Sequence, residues 1–273
     1  IRICNEIRKK GGLSQVNHPF DVSFSTRYNS EFWDMVEIFE SMEIWNGATP
    51  FAAGTINAKA FKKWLSLLDE GKRLTATTGS DTHNIYGDDY FGMTEWLDWL
   101  MDIVMKHPEI YPVQMNEKVA YLTWLYKKVW PRLLSWVEQS NKPSTIHNYV
   151  YTNGKNKPQE ILQAIREGHS FISNGPLVTA EVNGASYGEK ALLKDNTGKL
   201  SVHVFSKKPI NHLWMYTGAD KKVELCAKAD TAEGGFTYDI AADEFDFGDT
   251  AWALFVADGG ENNLAISNPI LFA

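Results

Sequence analysis

The hydrophobic period of this chain changes near Gly175-Pro176, and that change limits what it can fold into. Upstream, helical patterns alternate with short apolar runs. Phe61, Trp64, Leu65 and Leu68 recur at i, i+3, i+4 and i+7 ahead of Gly71, which predicts a helix with a glycine stop. Ile3 and Ile7, followed by Arg8, Lys9, Lys10 and Gly11-Gly12, read as the last turns of another helix. A short helix is expected over 30–40, with Ser30 as its N-cap. Pro158 opens a further one, expected to bury Ile161, Leu162 and Ile165 before Gly168. Leu13–Asn17, Met42–Trp45 and Leu74–Thr78 are the strand candidates between them. Alternation of this kind implies parallel strands with crossover helices, whose chemistry lies at the carboxyl ends of the strands. Downstream the period is two. Leu200, Val202 and Val204 alternate with Ser201, His203 and Phe205, and Trp252, Leu254 and Val256 mark another strand. A last strand is expected at Ile270–Phe272, and Asn183-Gly184 and Gly259-Gly260 read as hairpin turns. Such spacing predicts a small β-sandwich after a boundary near Gly175.

The 273 residues suit one large domain or two ordinary ones. With 44% apolar and 22% charged residues the chain can bury a core and is not of the disordered class. A net charge of −7 without a basic stripe argues against a nucleic-acid partner. No apolar run approaches the ~18 residues of a membrane span. No basic stretch followed by an apolar one marks a signal peptide, so cytoplasm, periplasm and exterior all stay open. Cys4 and Cys226 exclude a disulfide framework but leave a single bond open. Residues 91–140 gather Trp96, Trp99, Trp124, Trp130 and Trp136 with almost no glycine, which predicts a helical insertion. These tryptophans serve as packing residues or as an aromatic wall beside a cleft.

The residues able to do chemistry follow the predicted strands. His18 comes after the first, and Asp81-Thr82-His83 after the third. A D-x-H at a strand end can aim both side chains at one ion if the backbone turns there. Imidazole with carboxylate suits Zn, Mn or Fe. Taken singly, each is as well explained as an ordinary loop residue.

The ordered set is more telling. Asn17-His18-Pro19, Glu43-Ile44-Trp45-Asn46-Gly47 and Gly79-Ser80-Asp81-Thr82-His83 resemble the later motifs of the PHP (polymerase and histidinol phosphatase) metallohydrolases. Asn148–Thr152, Gly168–Pro176 and Val182-Asn183-Gly184 are similar to the CehA/McbA-like branch, in which a β-sandwich follows the barrel. The resemblance implies an α/β fold: a distorted (β/α)7 barrel, with a β-sandwich tail of Ig-like type. It implies two or three divalent metal ions and hydrolysis of a small-molecule phosphoester, or of a carbamate or amide-like bond. His18, Asp81 and His83 match metal ligands, with Asp81 a ligand or the proton acceptor of the attacking water. Glu43 and Asn46 match positions that line the site, and Ser173 and Asn174 the junction between barrel and sandwich.

The chain also departs from that family. The H-x-H strand that opens the family's barrel does not precede Asn17-His18-Pro19, and three parallel strands are about half of the staves. His107, His147, His169, His203 and His212 form no i, i+2 pair and are expected to face solvent or to be hydrogen-bonded. The expectation is a C-terminal portion: 1–175 as the later part of a PHP-like barrel with its N-terminal half missing, and 176–273 as the sandwich. Such a chain would hold at most one weakly bound metal and be inactive alone. The rival reading is a non-catalytic module on a degenerate PHP scaffold, binding carbohydrate or protein.

Overall fold

In the computed structural model the described residues are 2–20, 28, 30–47, 51–81, 146–225, 228–260 and 263–273. The expected Trp-rich insertion and Cys226 lie outside them. Residues 1–79 and 146–273 make up one compact unit, and Ser80 and Asp81 are the described residues of a second, 80–145. The fold is α/β and rich in strands.

The N-terminal part follows the predicted alternation. Helix α1 (Arg2–Lys9) leads to β1 (Gln15–Val16), α2 (Ser30–Asp34) and a 3-10 turn (Val36–Ile38), then β2 (Ser41–Asn46), α3 (Ile56–Asp69) and β3 (Thr75–Gly79). The strands are parallel in the order β1-β2-β3, with Gln15 opposite Ser41 and Ser41 opposite Thr75. Helix α3 forms because its apolar residues repeat at helical spacing and because the Thr55 hydroxyl accepts the Ala58 N–H at its start. It buries Phe61, Trp64, Leu65 and Leu68 in one core with Val16, Met42 and Ile44 of the sheet, and the Trp64 indole donates to the Leu74 carbonyl at 2.7 Å.

The remaining strands are antiparallel, apart from one short parallel pair. After β4 (His147–Val150), α4 (Pro158–Glu167) and β5 (Ser170–Ser173) come β6 (Leu177–Val182), β7 (Lys190–Ala191), β8 (Thr197–Ser206), β9 (His212–Gly218) and β10 (Lys221–Glu224). The chain ends with β11 (Ala229–Ala232), β12 (Gly235–Asp246), β13 (Trp252–Asp258), β14 (Leu264–Ser267) and β15 (Ile270–Phe272). One sheet runs β10-β9-β13-β14-β5-β4, with β15 joining β13 to β7, and the other runs β11-β12-β8-β6. Among the described residues after 176 every regular element is a strand. Leu200, Val202 and Val204 point into the core between the two sheets, as their spacing predicts. Asn183 (φ 51°) and Gly184 (φ 81°) make the two-residue turn that their sequence predicts. The middle of the larger sheet, at β13 and β14, is buried on both faces. On β13, Ala253, Phe255 and Ala257 meet the smaller sheet, while Trp252, Leu254 and Val256 join the core of α3 and the parallel strands.

Two features of the sheets stand beside the expected partial barrel and sandwich, and one expectation, on α4, is corrected. The parallel strands are not closed into a barrel among the described residues, and side chains meet the outer edge of β3. The Asn268 side chain accepts the Ala76 N–H at 2.7 Å and donates to the Ala76 carbonyl at 3.2 Å. The Asn148 side chain does the same for Thr78, at 3.0 and 2.8 Å. Next, β4 and β5, which precede Gly175, pair within the sheet that holds β9, β13 and β14, so strands from both sides of the expected boundary share one sheet. Ser173 and Asn174 shape the turn out of that sheet: the Ser173 hydroxyl donates to the Pro176 carbonyl, and Asn174 accepts the Leu264 N–H at 2.8 Å. On α4, finally, Ala164 is the buried residue, and Ile161, Leu162 and Ile165 are only half-buried. No described helix is long and apolar enough to cross a membrane.

Two predictions follow from this packing. Asn268→Ala leaves the buried N–H and carbonyl of Ala76 without partners, and should lower the unfolding free energy in urea by on the order of 3 kcal/mol. The second concerns Glu40, a buried carboxylate that accepts the Ser14 N–H at 2.8 Å, the Ser14 hydroxyl and the Arg8 guanidinium at 2.8 Å. Burial pushes its pKa up, but the bonds from Ser14 and Arg8 outweigh that and hold it below the ordinary 4.5. A folded-state pKa below the unfolded one stabilises the fold above the unfolded value, and the stabilisation is lost as pH falls through the folded value. Unfolding free energies measured from neutral pH downward should therefore fall less steeply below about pH 4.5 in Glu40→Gln than in the parent chain.

Candidate functional site

Parallel strands bring their carboxyl ends to one edge of the sheet. There β1 runs on through Asn17 to His18, β2 ends at Asn46 and β3 ends at Gly79, opposite Asn46. An irregularity in β2 shapes this edge. Glu43 lies opposite Thr77, but Trp45 lies opposite Thr78, so Ile44 is an extra residue on β2. Such a bulge shifts the alternation of side chains by one. It lets Glu43 and Asn46, three apart, line the same cleft.

Glu43 is 6% exposed. Its carboxylate accepts the backbone N–H of His18 at 2.6 Å. A Cβ at Gly79 would stand 2.9 Å from Glu43 Oε1, so the carboxylate fills the space that the glycine leaves. His18 itself has φ 30°. Positive φ is uncommon outside glycine, and the proline that follows His18 favours extended backbone instead. Holding such a residue costs roughly 1–3 kcal/mol, which the surroundings must offset.

The first turn of α3 closes the cleft. Asn57 accepts the Asn46 N–H at 2.9 Å and donates to the Asn46 carbonyl at 2.9 Å, which locks the end of β2 to the helix start. His18, Pro19, Phe20, Glu43, Asn46 and Asn57 line a tight crevice with no room for a water-sized sphere. Below it, the Gln15 side chain accepts hydrogen bonds from the Ser41 hydroxyl at 3.2 Å and the Thr77 hydroxyl at 2.8 Å, so a polar row crosses the sheet. The Tyr28 phenol has its pKa raised, mainly by burial and further by the Glu43 charge.

The expected site residues are placed as follows. His18, Glu43 and Asn46 share this cleft. Asp81, two residues beyond β3, has φ 57° and belongs to the second unit. His83 lies outside the described residues. Among the described residues no three His, Cys, Asp or Glu side chains are grouped as a metal ion requires. An imidazole and a carboxylate fit Zn, Mn or Fe in kind, but a zinc site takes three protein ligands or more. Of the other histidines, His203 and His212 are exposed and hydrogen-bonded through Nδ1 to Asp239 and Glu224, each at 2.7 Å.

The sequence reading missed Asn57 and Tyr28. A polar residue in the first turn of a helix directly after a strand is the signal that could have found Asn57. Tyr28 stands in a stretch without periodicity and gave none. The electrostatics can be tested through Tyr28. In Glu43→Gln its pKa, followed by NMR of the labelled ring, should move part of the way back toward 10.0 and no further, because burial is the larger cause. Comparison with known proteins returns no match: no family model, no curated protein and no solved structure matches this chain.

Proposed function

We propose that this chain is part of a metal-dependent hydrolase of the PHP type that acts on small-molecule phosphoesters. The observation that carries the reading is the placement of His18 and Glu43 in one cleft at the carboxyl edge of a parallel sheet. The adjacent strand β3 leads within two residues into Asp81-Thr82-His83. In this reading His18, Asp81 and His83 are metal ligands, and Asp81 also accepts the proton of the attacking water. Glu43 and Asn46 shape the wall against which the substrate rests. Divalent ions, when bound, supply Lewis acidity and activate water. In this reading the strands after residue 176 form an Ig-like sandwich as the tail. A second reading, a non-catalytic module for carbohydrate or protein, is favoured by one observation: the described residues group fewer than three metal donors.

The test uses the full-length gene product. Metal analysis after dialysis should find bound Zn, Mn or Fe, and a generic phosphoester should be hydrolysed. His18→Ala and Asp81→Asn should each lower turnover by about 100-fold or more and reduce metal content. A metal-free, inactive full-length protein would leave the binding-module reading in place.

A further inference from the structure

We propose that Glu43 is the positioning residue for His18, acting through the backbone rather than as a metal ligand. The inference rests on the reading of His18 as a ligand. Three independent features meet at this carboxylate. It accepts the His18 N–H at 2.6 Å, a short, charge-assisted bond. The residue it grips has a left-handed backbone, φ 30°, in front of a proline. Its own place is prepared by the neighbouring strand, since any side chain at residue 79 would put a Cβ 2.9 Å from Oε1.

Each feature has a physical consequence. Without a fixed acceptor, His18 relaxes toward the extended backbone that a residue before proline prefers. Relaxation of φ swings the Cα–Cβ vector and carries the imidazole away from the cleft. The bulge at Ile44 brings Glu43 and Asn46 to the same cleft. Gly79 keeps the space open, and burial of Glu43 shields the bond from water. Metal ligation needs a ring held to a fraction of an ångström, and partners one shell out typically change metal affinity by about 10- to 100-fold.

The experiment compares the parent chain with Glu43→Gln, Glu43→Ala and Gly79→Ala. It measures hydrogen exchange of the His18 amide by NMR and, separately, zinc affinity by titration with the metal alone. Gln keeps a carbonyl oxygen in the same place, so its His18 amide should exchange within about threefold of the parent and its zinc affinity should be retained. In Glu43→Ala and Gly79→Ala the amide should exchange at least about tenfold faster, and zinc affinity should fall at least about tenfold. If Glu43→Ala does not fold, Gly79→Ala carries the same comparison with the carboxylate still present.

An amide equally protected in the folded alanine variants overturns the proposal. So does a Gln variant that loses zinc while keeping the amide protected, because Glu43 would then act through its charge. Faster exchange with zinc affinity unmoved also overturns it, since His18 would not be the group that Glu43 positions for the metal. If the full-length gene product binds no zinc but the exchange pattern holds in this chain, the backbone clamp stands and the metal-ligand reading of His18 falls.

Discussion

The outer edge of β3 is the constraint on which the rest of this structure depends. A strand at the end of a parallel sheet presents N–H and carbonyl groups that must be paired or solvated. Here the groups at Ala76 and Thr78 face away from β2 and are met by two asparagine side chains, Asn268 and Asn148. A primary amide carries a donor and an acceptor side by side, so it can stand in for one residue of a neighbouring strand. Asn268 also donates to the Ser170 carbonyl at 3.0 Å, which ties the edge to β5. The parallel sheet is thus joined to the antiparallel one without a continuing ladder. The sheet is open among the described residues.

This junction explains the unusual burial of the central sheet. Helix α3 fills the angle between the parallel strands and the larger antiparallel sheet, with Phe61 edge-on to Tyr216 at 5.5 Å. The opposite face of that sheet packs on β6, β8 and β12. A strand in that position has no solvent side, so β13 is apolar at every position from Trp252 to Ala257. Fully burying one large apolar side chain contributes about 1.5–3 kcal/mol, and β13 does so on two faces at once.

The candidate site inherits its order from the same edge. The amides that hold β3 also fix Gly79 at its end. The open space over Gly79 receives the Glu43 carboxylate, and that carboxylate receives the His18 N–H. From the other side Asn57 fixes the end of β2. Three asparagines and one glycine therefore set the geometry around His18 and Glu43.

Much of this was legible in the sequence. The helical spacing of Phe61, Trp64, Leu65 and Leu68, the alternation through Leu200, Val202 and Val204, and the Asn183-Gly184 turn each report a local periodicity or a local backbone preference. Such signals survive without tertiary contacts. The motif order also singled out His18, Glu43 and Asn46. Tertiary structure alone decided the rest. Asn268 is 192 residues from Ala76, and Asn148 is 70 residues from Thr78. A polar side chain with a distant partner leaves no period behind it. Nor does composition reveal that strands before and after Gly175 share a sheet, because pairing depends on which edges remain free once the layers have packed. The sequence determined which segments are helix and which are strand. Packing determined which edge each strand meets, because hydrogen-bonding groups are alike along every strand and only the assembled layers choose among them.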